Sequence, residues 1–456
     1  MICTTDEYLR SLQGKRILVL GLGVSNRPLV KWLLQAGLDV TGCDAAARET
    51  ADAAVLELEA LGAKLKLGPD YLEGLEGDVI FRTPGMRPDR PEIQALVEQG
   101  AVLTSEMEAF FQVCPCPILA VTGSDGKTTT TTLIAEMLKA AGKTVWVGGN
   151  IGQPLLDRAA EMSPADYAVL ELSSFQLMTM PYSPQVAVVT NLAPNHLDIH
   201  KDMDEYVAAK KNLFLHQGPD DRLVLNLDND ITRGFAAEAA GKVSWFSRTR
   251  APEQGVWWDG AIIWAGGRAL MVRENILLPG DHNVENYMAA IAAVEGLVSD
   301  DVIRRVAASF AGVEHRIERV RVLDGVTWYN DSIASSPSRT IAGLRSFRDP
   351  VILIAGGYDK HIPYDALGPE IVRHVKALIL TGATSEKIRA AVQEVPDYAG
   401  QPPIYDAADL ADAVAQAQKL GQKGDVVILS PASASFDCFK NFMERGDTFK
   451  KLVEAL

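Results

Sequence analysis

Short apolar runs closed by glycine, proline, asparagine or aspartate recur along this chain, and between them lie longer stretches whose apolar positions repeat at helical spacing. The first group, RILVLGLGVSNRPLVKWLLQAGLDVTGCD, predicts a strand, a glycine turn, a helix and a second strand ending at Asp44. That order is a βαβ unit. DVIFRTP predicts a further strand and GMRPDRPEI a proline-rich loop. PILAV predicts a strand that leads into a second glycine loop and a helix from about Lys127, and YAVLELS, VAVVTNL and RLVLNLD predict strands of the same parallel sheet. From VSWFSRT to LMVREN, β-like pieces alternate with glycine turns, which predicts a small antiparallel hairpin element with Trp245, Trp257, Trp258 and Trp264 as packing residues. VTWYNDS, VILIAGG, ALILTGA and DVVILSPA predict four strands of a third α/β segment, each ending in small or polar residues. Such strand ends are where open α/β sheets hold ligands.

A chain of 456 residues exceeds what a single core organises. The pattern predicts an α/β protein of three domains: an N-terminal Rossmann-like domain over 1–107, a central domain over 108–312 and a C-terminal Rossmann-like domain over 313–456. The central domain is expected to be a P-loop ATPase-type parallel sheet with helices on both faces and a small antiparallel element. No apolar run reaches the ~20 residues of a membrane span, and the N-terminus carries charges where an export signal would be apolar, so a cytoplasmic protein is expected. Five scattered cysteines, an odd number, argue for reduced thiols rather than a disulfide framework. A net charge of −15 disfavours non-specific nucleic-acid binding, and an anionic substrate would need a local cationic pocket.

Two glycine turns carry candidate chemistry. In TGSDGKT, backbone N–H groups before a helix N-terminus can hold phosphate oxygens, Lys127 can reach the β- and γ-phosphates, and the Thr128 hydroxyl can bind magnesium. The generic phosphate loop would begin with glycine at position 121, where this chain has Val121; the first glycine is Gly123. In the first segment GxG stands at Gly21 and Gly23, but Asn26 replaces the third glycine of a dinucleotide fingerprint, which weakens an NAD reading.

The T-G-x-x-G-K-T form of the loop resembles that of the Mur ligases and folylpolyglutamate synthetases. GGNIG, ELSSFQL, TNLAPNHLDIH, YVAAKKNLF, GDHNVENYMAA, GVEHRIE, YNDSIASSP, GGYDK and LSPASASFDCFKNFMERGDTF follow in the order of that family, over nearly the whole chain. The resemblance implies an ATP-dependent amide-bond-forming ligase. It would phosphorylate the carboxylate of UDP-N-acetylmuramoyl-L-alanine and add D-glutamate to it in peptidoglycan synthesis, with Mg2+, two ions, as cofactor.

The same resemblance implies roles for individual residues. Gly123, Ser124, Asp125, Gly126, Lys127, Thr128 and Thr129 would hold ATP with Asn283, Asn286, Arg316 and Asp331; Thr128, Glu171, His196 and Lys210 would hold metal, with Lys210 carbamylated by carbon dioxide. Asn150 would donate to a phosphate or to the substrate carboxylate, and Arg316 would reach the γ-phosphate. Gly21, Gly23, Val24, Ser25 and Asp44, with Asn150, are the expected UDP-substrate contacts, and Ser335, Lys360, Ser435, Phe436 and Phe442 the expected D-glutamate readers. A monomer acting on small molecules is expected.

Two positions depart from the family pattern. Ile333 stands where a lysine is common, and DAAAR follows Asp44 in place of the usual Thr/Arg pair. The absence of DNPR from the third segment favours D-glutamate over diaminopimelate. A nucleotide switch or transport ATPase would leave NHLDIH, YVAAK and the third segment without purpose, and a dehydrogenase would rest on the degenerate GxG alone.

Overall fold

Three β-sheets organise the chain, described here from a computed structural model over residues 2–194, 199–396 and 398–456. The first holds β1 (Ile17–Leu20), β2 (Val40–Asp44), β3 (Lys64–Leu67), β4 (Val79–Arg82) and β5 (Val102–Thr104), all parallel in the order β3-β2-β1-β4-β5. The chain runs outward from β1 to β3 and returns to β4. The crevice at the C-terminal ends of β1 and β4 is therefore the topological switch point, where such sheets take ligands.

The second sheet comprises β6 (Ile118–Thr122), β7 (Val145–Gly149), β8 (Tyr167–Glu171), β9 (Val186–Val189), β10 (Arg222–Asn226), β11 (Lys242–Ser247), β12 (Gly255–Trp258), β13 (Ile262–Ala265) and β14 (Arg268–Val272). Its order is β14-β13-β12-β11-β10-β9-β6-β8-β7. β6 lies between β8 and β9, so the loop after it opens at this sheet's switch point. The antiparallel element is smaller than the glycine turns predict. β11 and β12 extend the parallel sheet from β10, and only β12, β13 and β14 run antiparallel. Tight turns mark where the chain reverses, but not which neighbour a strand joins. Trp257 and Trp264 face each other across β12 and β13 and stack at 6.0 Å, a packing pair.

The third sheet runs β15 (Glu318–Leu323), β16 (Val326–Asn330), β20 (Val426–Leu429), β17 (Val351–Ala355), β18 (Val375–Leu380) and β19 (Ile404–Asp406). It contains the four predicted strands and two more at its edges. β15 and β19 are half-exposed, and β19 is three residues long, so neither carries the apolar run that marks the buried strands. β20 returns between β16 and β17, which brings the loops after these three strands to one end of the sheet.

Alternation along each strand explains the cores. Ile17 and Val19 point into a cluster that also takes Phe110, Leu155, Leu172 and Leu225, whereas Leu18 and Leu20 point to the opposite face with Ile80 and Ile93. The first two sheets thus share a continuous core. They form one compact unit, Met1–Arg273 with Glu285–Val306; the second unit is Glu274–Val284 with Ala307–Leu456. Among the described residues no helix is long and apolar enough to cross a membrane.

Candidate active site

At the end of β6 the chain turns through Gly123 to Gly126 into helix Lys127–Ala140. Gly126 has φ +78°, and a Cβ there would collide with the Asn286 side chain, so a left-handed conformation and close approach both require glycine. The turn is held from β9's exit: Ser124 N–H donates to Asn191 O at 2.8 Å, Asp125 N–H to Asn191 Oδ1 at 3.0 Å, and Thr190 Oγ1 to Asp125 O at 2.6 Å. Lys127 folds over the loop, with Nζ 2.9 Å from both Gly123 O and Ser124 O. Thr129 is buried in the first helical turn.

Glu171, the last residue of β8, is 1% exposed. Thr128 Oγ1 donates to its Oε2 at 2.7 Å and Asn150 Nδ2 to its Oε1 at 2.7 Å. Each oxygen of this buried carboxylate thus accepts from a neutral side-chain donor. A hydroxyl and a carboxylate converging beside a phosphate loop are the oxygen donors that suit Mg2+.

Lys210 lies near the end of helix Met203–Lys211 and is 1% exposed. Its Nζ donates to Thr122 Oγ1 and Gly123 O, each at 3.0 Å, and sits 4.9 Å from the Tyr206 ring centroid. Burial, reinforced by the Lys127 charge and opposed by Glu171, holds the amine well below the usual lysine pKa. Tyr206 in turn pairs through its hydroxyl with Ser124 Oγ at 2.9 Å. His196 lies outside the described residues. His200, four residues on, is buried, stacks on Phe175 at 5.3 Å, and pairs with Ser174 Oγ at 2.9 Å.

The first-sheet turn is braced rather than open. Asp44 Oδ2 accepts Leu22 N–H at 2.7 Å and Oδ1 accepts Ala46 N–H at 3.0 Å, while buried Asn26 donates to Gly21 O at 2.8 Å. Asn26 therefore closes the turn that a third glycine would have let a helix approach. Gly21, φ +82°, faces Thr83 across the switch point, and a Cβ would come within 2.6 Å of Thr83 Cγ2. Gly23 and Val24 sit at the rim, with Val24 70% exposed, and Ser25 precedes helix Asn26–Gln35.

In the second unit, Asn283 donates to Pro279 O at 2.7 Å. Asp331 follows β16 fully buried, and burial pushes its carboxyl up to about 7 against the donors Ser430 Oγ and Ile317 N–H and the positive charges of Arg316 and Arg339. Ser335 lies half-buried in the same loop, and Ser435 is buried in the loop after β20. Phe436 is exposed and packs edge-on against Tyr358, whose turn also presents exposed Lys360; Phe442 packs edge-on against His315. Two groups here escape the sequence reading. Arg445 is buried and donates to Ser332, Ser433 and Ala434, and Ser433 Oγ joins Tyr364 and Thr384 at 2.8 Å each. An arginine on the apolar face of FMERGDTF was the available signal.

Arg87, after β4, meets Asp89 and Glu205. Bonds from Arg87 hold Glu205 down to about 2, below the ordinary 4.5, and lower Asp89 as well. Depressed carboxylates stabilise the fold above the unfolded pKa, and that contribution is lost as pH falls through the folded value. The melting temperature should therefore decline between about pH 5 and 2, and less steeply in Glu205→Gln; equal slopes by differential scanning fluorimetry would contradict this account.

A phosphate loop at one switch point, a buried carboxylate and amine beside it, and a braced glycine turn at a second switch point define the class. The chain belongs to the Mur ligase family: residues 121–294 match the Mur ligase middle domain, and residues 315–433 match the Mur ligase, glutamate ligase domain. Among its relatives is the UDP-N-acetylmuramoylalanine–D-glutamate ligase of Acetivibrio thermocellus, 53% identical over 459 residues that span 99% of this chain and 98% of the relative. The ligase of the same name from Ruminiclostridium cellulolyticum is 50% identical, covering 99% of both chains. In fold the chain is similar to the UDP-N-acetylmuramate-alanine ligase of Thermotoga maritima, with a TM-score of 0.58 at 18% identity over 97% of this chain and 99% of that one.

Proposed function

We propose that this chain is an ATP-dependent ligase that joins D-glutamate to UDP-N-acetylmuramoyl-L-alanine in peptidoglycan synthesis. The observation that carries this reading is identity of about half of all residues, end to end, with D-glutamate ligases. In the reaction a carboxylate oxygen of the alanyl group attacks the γ-phosphorus of ATP and ADP departs. The amine of D-glutamate then attacks the acyl carbon of the acyl phosphate, and inorganic phosphate leaves as the amine gives up a proton. ATP and a UDP-linked precursor as substrates put the reaction in the cytoplasm.

The three predicted domains divide the work on this reading: 1–107 takes the UDP substrate, 108–312 ATP, and 313–456 the amino acid. The turn at Gly123–Lys127 presents backbone N–H groups and the helix N-terminus to the phosphates, with Lys127 unfolding from its own loop onto them. Thr128, Glu171 and the modified Lys210 would hold Mg2+, with His196 beside a second ion, and the metal would supply charge neutralisation for the transferred phosphoryl group. Lys210 is modified when its neutral amine adds to carbon dioxide, forming an N–C bond and releasing one proton; a neutral buried amine becomes an anionic carbamate. Asn150 orients the phosphate or carboxylate, Asn283, Asn286, Arg316 and Asp331 complete the nucleotide contacts, and Gly21, Gly23, Val24, Ser25 and Asp44 hold the diphosphate end of the acyl substrate. Lys360 supplies the cation, and Ser335 and Ser435 the hydroxyls, that two carboxylates of D-glutamate need, with Phe436 and Phe442 alongside.

Phosphate release with ATP, Mg2+ and UDP-N-acetylmuramoyl-L-alanine tests this, comparing D-glutamate, L-glutamate, meso-diaminopimelate and L-lysine with product mass. Release that depends on the acyl substrate and D-glutamate is expected. Release indifferent to every amino acid would return the chain to ATPases of another kind.

A further inference from the structure

Arg87 stands in the loop that leaves β4, five residues after Arg82. That loop begins beside the glycine turn: Thr83 packs on Gly21 and its N–H donates to Leu20 O at 2.9 Å. It is stiffened from within, since buried Arg82 donates through Nη1 to Pro84 O at 3.0 Å and to Met86 O, and through Nη2 to Phe175 O at 3.1 Å. The loop is thus fixed at one end to the first sheet's switch point and along its length to the segment after Glu171.

All five N–H groups of Arg87 are used. Nε and Nη2 grip Asp89 at 2.8 Å each, Nη1 and Nη2 grip Glu205 at 2.9 and 2.8 Å, and Nη1 also donates to Ile199 O at 2.6 Å. Glu205 accepts Lys201 N–H at 2.8 Å as well, and Lys201 Nζ closes the group on Asp89 at 3.0 Å. Glu205 is in the first turn of helix Met203–Lys211, five residues before Lys210. A helix transmits displacement along its axis, about 1.5 Å per residue without slack, so a grip on Glu205 sets where Lys210 stands.

We propose that Arg87 is a positioning residue for Lys210, fastening the lysine's helix to the loop beside the diphosphate turn so that Nζ is held where its carbamate forms and meets metal. This rests on the reading of Lys210 as a carbamylated ligand. Arg87 and Glu205 side chains are 22% and 24% exposed, so the fork can be removed without opening a core.

The test uses the full chain with Arg87→Met, Arg87→Lys, Glu205→Gln and the double variant Arg87→Met/Glu205→Gln. Readouts are the carbamate 13C signal during titration with [13C]bicarbonate, kcat and KM for each substrate, and melting temperature. Arg87→Met should need about tenfold more bicarbonate for half-maximal signal, with kcat lowered at ambient carbon dioxide and recovered at saturating bicarbonate, the scale expected for a group that orients a metal ligand. Arg87→Lys, which keeps the charge but not the fork, should fall between. The double variant should be no worse than the worse single one, because both remove the same grip. Equal bicarbonate dependence in wild type and Arg87→Met, or losses that add in the double variant, would overturn the role of Arg87 alone. No carbamate signal in wild type would overturn it together with the reading of Lys210.

Discussion

Replacing Lys210 with methionine should leave the protein folded while lowering kcat on the order of 10³-fold, the scale of one preorganised electrostatic group. The fold should survive because both acceptors of Nζ keep other partners: Thr122 Oγ1 still donates to Leu172 O at 2.7 Å, and Gly123 O still accepts from Lys127. Methionine fills a similar volume and removes an amine from a site where burial penalises its charge. On the reading of Lys210 as a carbamylated ligand, catalysis should fail because the variant would lack the anion that joins Thr128 and Glu171 in holding Mg2+. Lys210→Arg should fail too, since a guanidinium stays charged and forms no comparable carbamate. Circular dichroism and thermal melting establish folding, and steady-state phosphate release gives kcat. A folded Lys210→Met variant with kcat within about threefold of wild type would sink the assignment.

Much of the central site was legible because its chemistry sits at strand ends, which the apolar runs mark. Glu171 closes YAVLE, and Gly123 follows PILAVT; both lie where the runs stop. What the runs do not mark is which strand end faces which. Thr190 and Asn191 cap the phosphate loop only because β9 pairs with β6, a pairing across some 68 residues of sequence that no local pattern encodes. Arg87 and Glu205 are hidden for the same reason, 118 residues apart and each ordinary in its own neighbourhood. The edge strands β15 and β19 were illegible for a different reason: partial exposure removes the hydrophobic contrast on which strand prediction depends.

The second large effect is expected at Arg445, which ties together two loops at one end of the third sheet. Its five N–H groups reach Ser332 Oγ at 3.0 Å, Ser332 O at 2.9 Å, Ser433 O at 3.1 Å from each of two nitrogens, and Ala434 O at 2.9 Å. Ser332 follows β16 and Ser433 follows β20, so one side chain sets the distance between the two loops that carry Ser335 and Ser435. Burial brings its pKa down to about 10, with Asp437 opposing, so the guanidinium remains charged at neutral pH. Arg445→Met would strip the Ser332 and Ser433 carbonyls of these bonds inside a buried site. At about 1–3 kcal/mol for each unsatisfied group, the variant should lose roughly 2–6 kcal/mol of stability. Arg445→Lys keeps the charge but cannot span both loops with a planar fork. It should fold and raise the KM for D-glutamate about tenfold or more, while the KM for ATP moves little. A folded Arg445→Lys with wild-type KM for D-glutamate would mean that the loops hold their spacing without the clamp, and that Ser335 and Ser435 are not its beneficiaries.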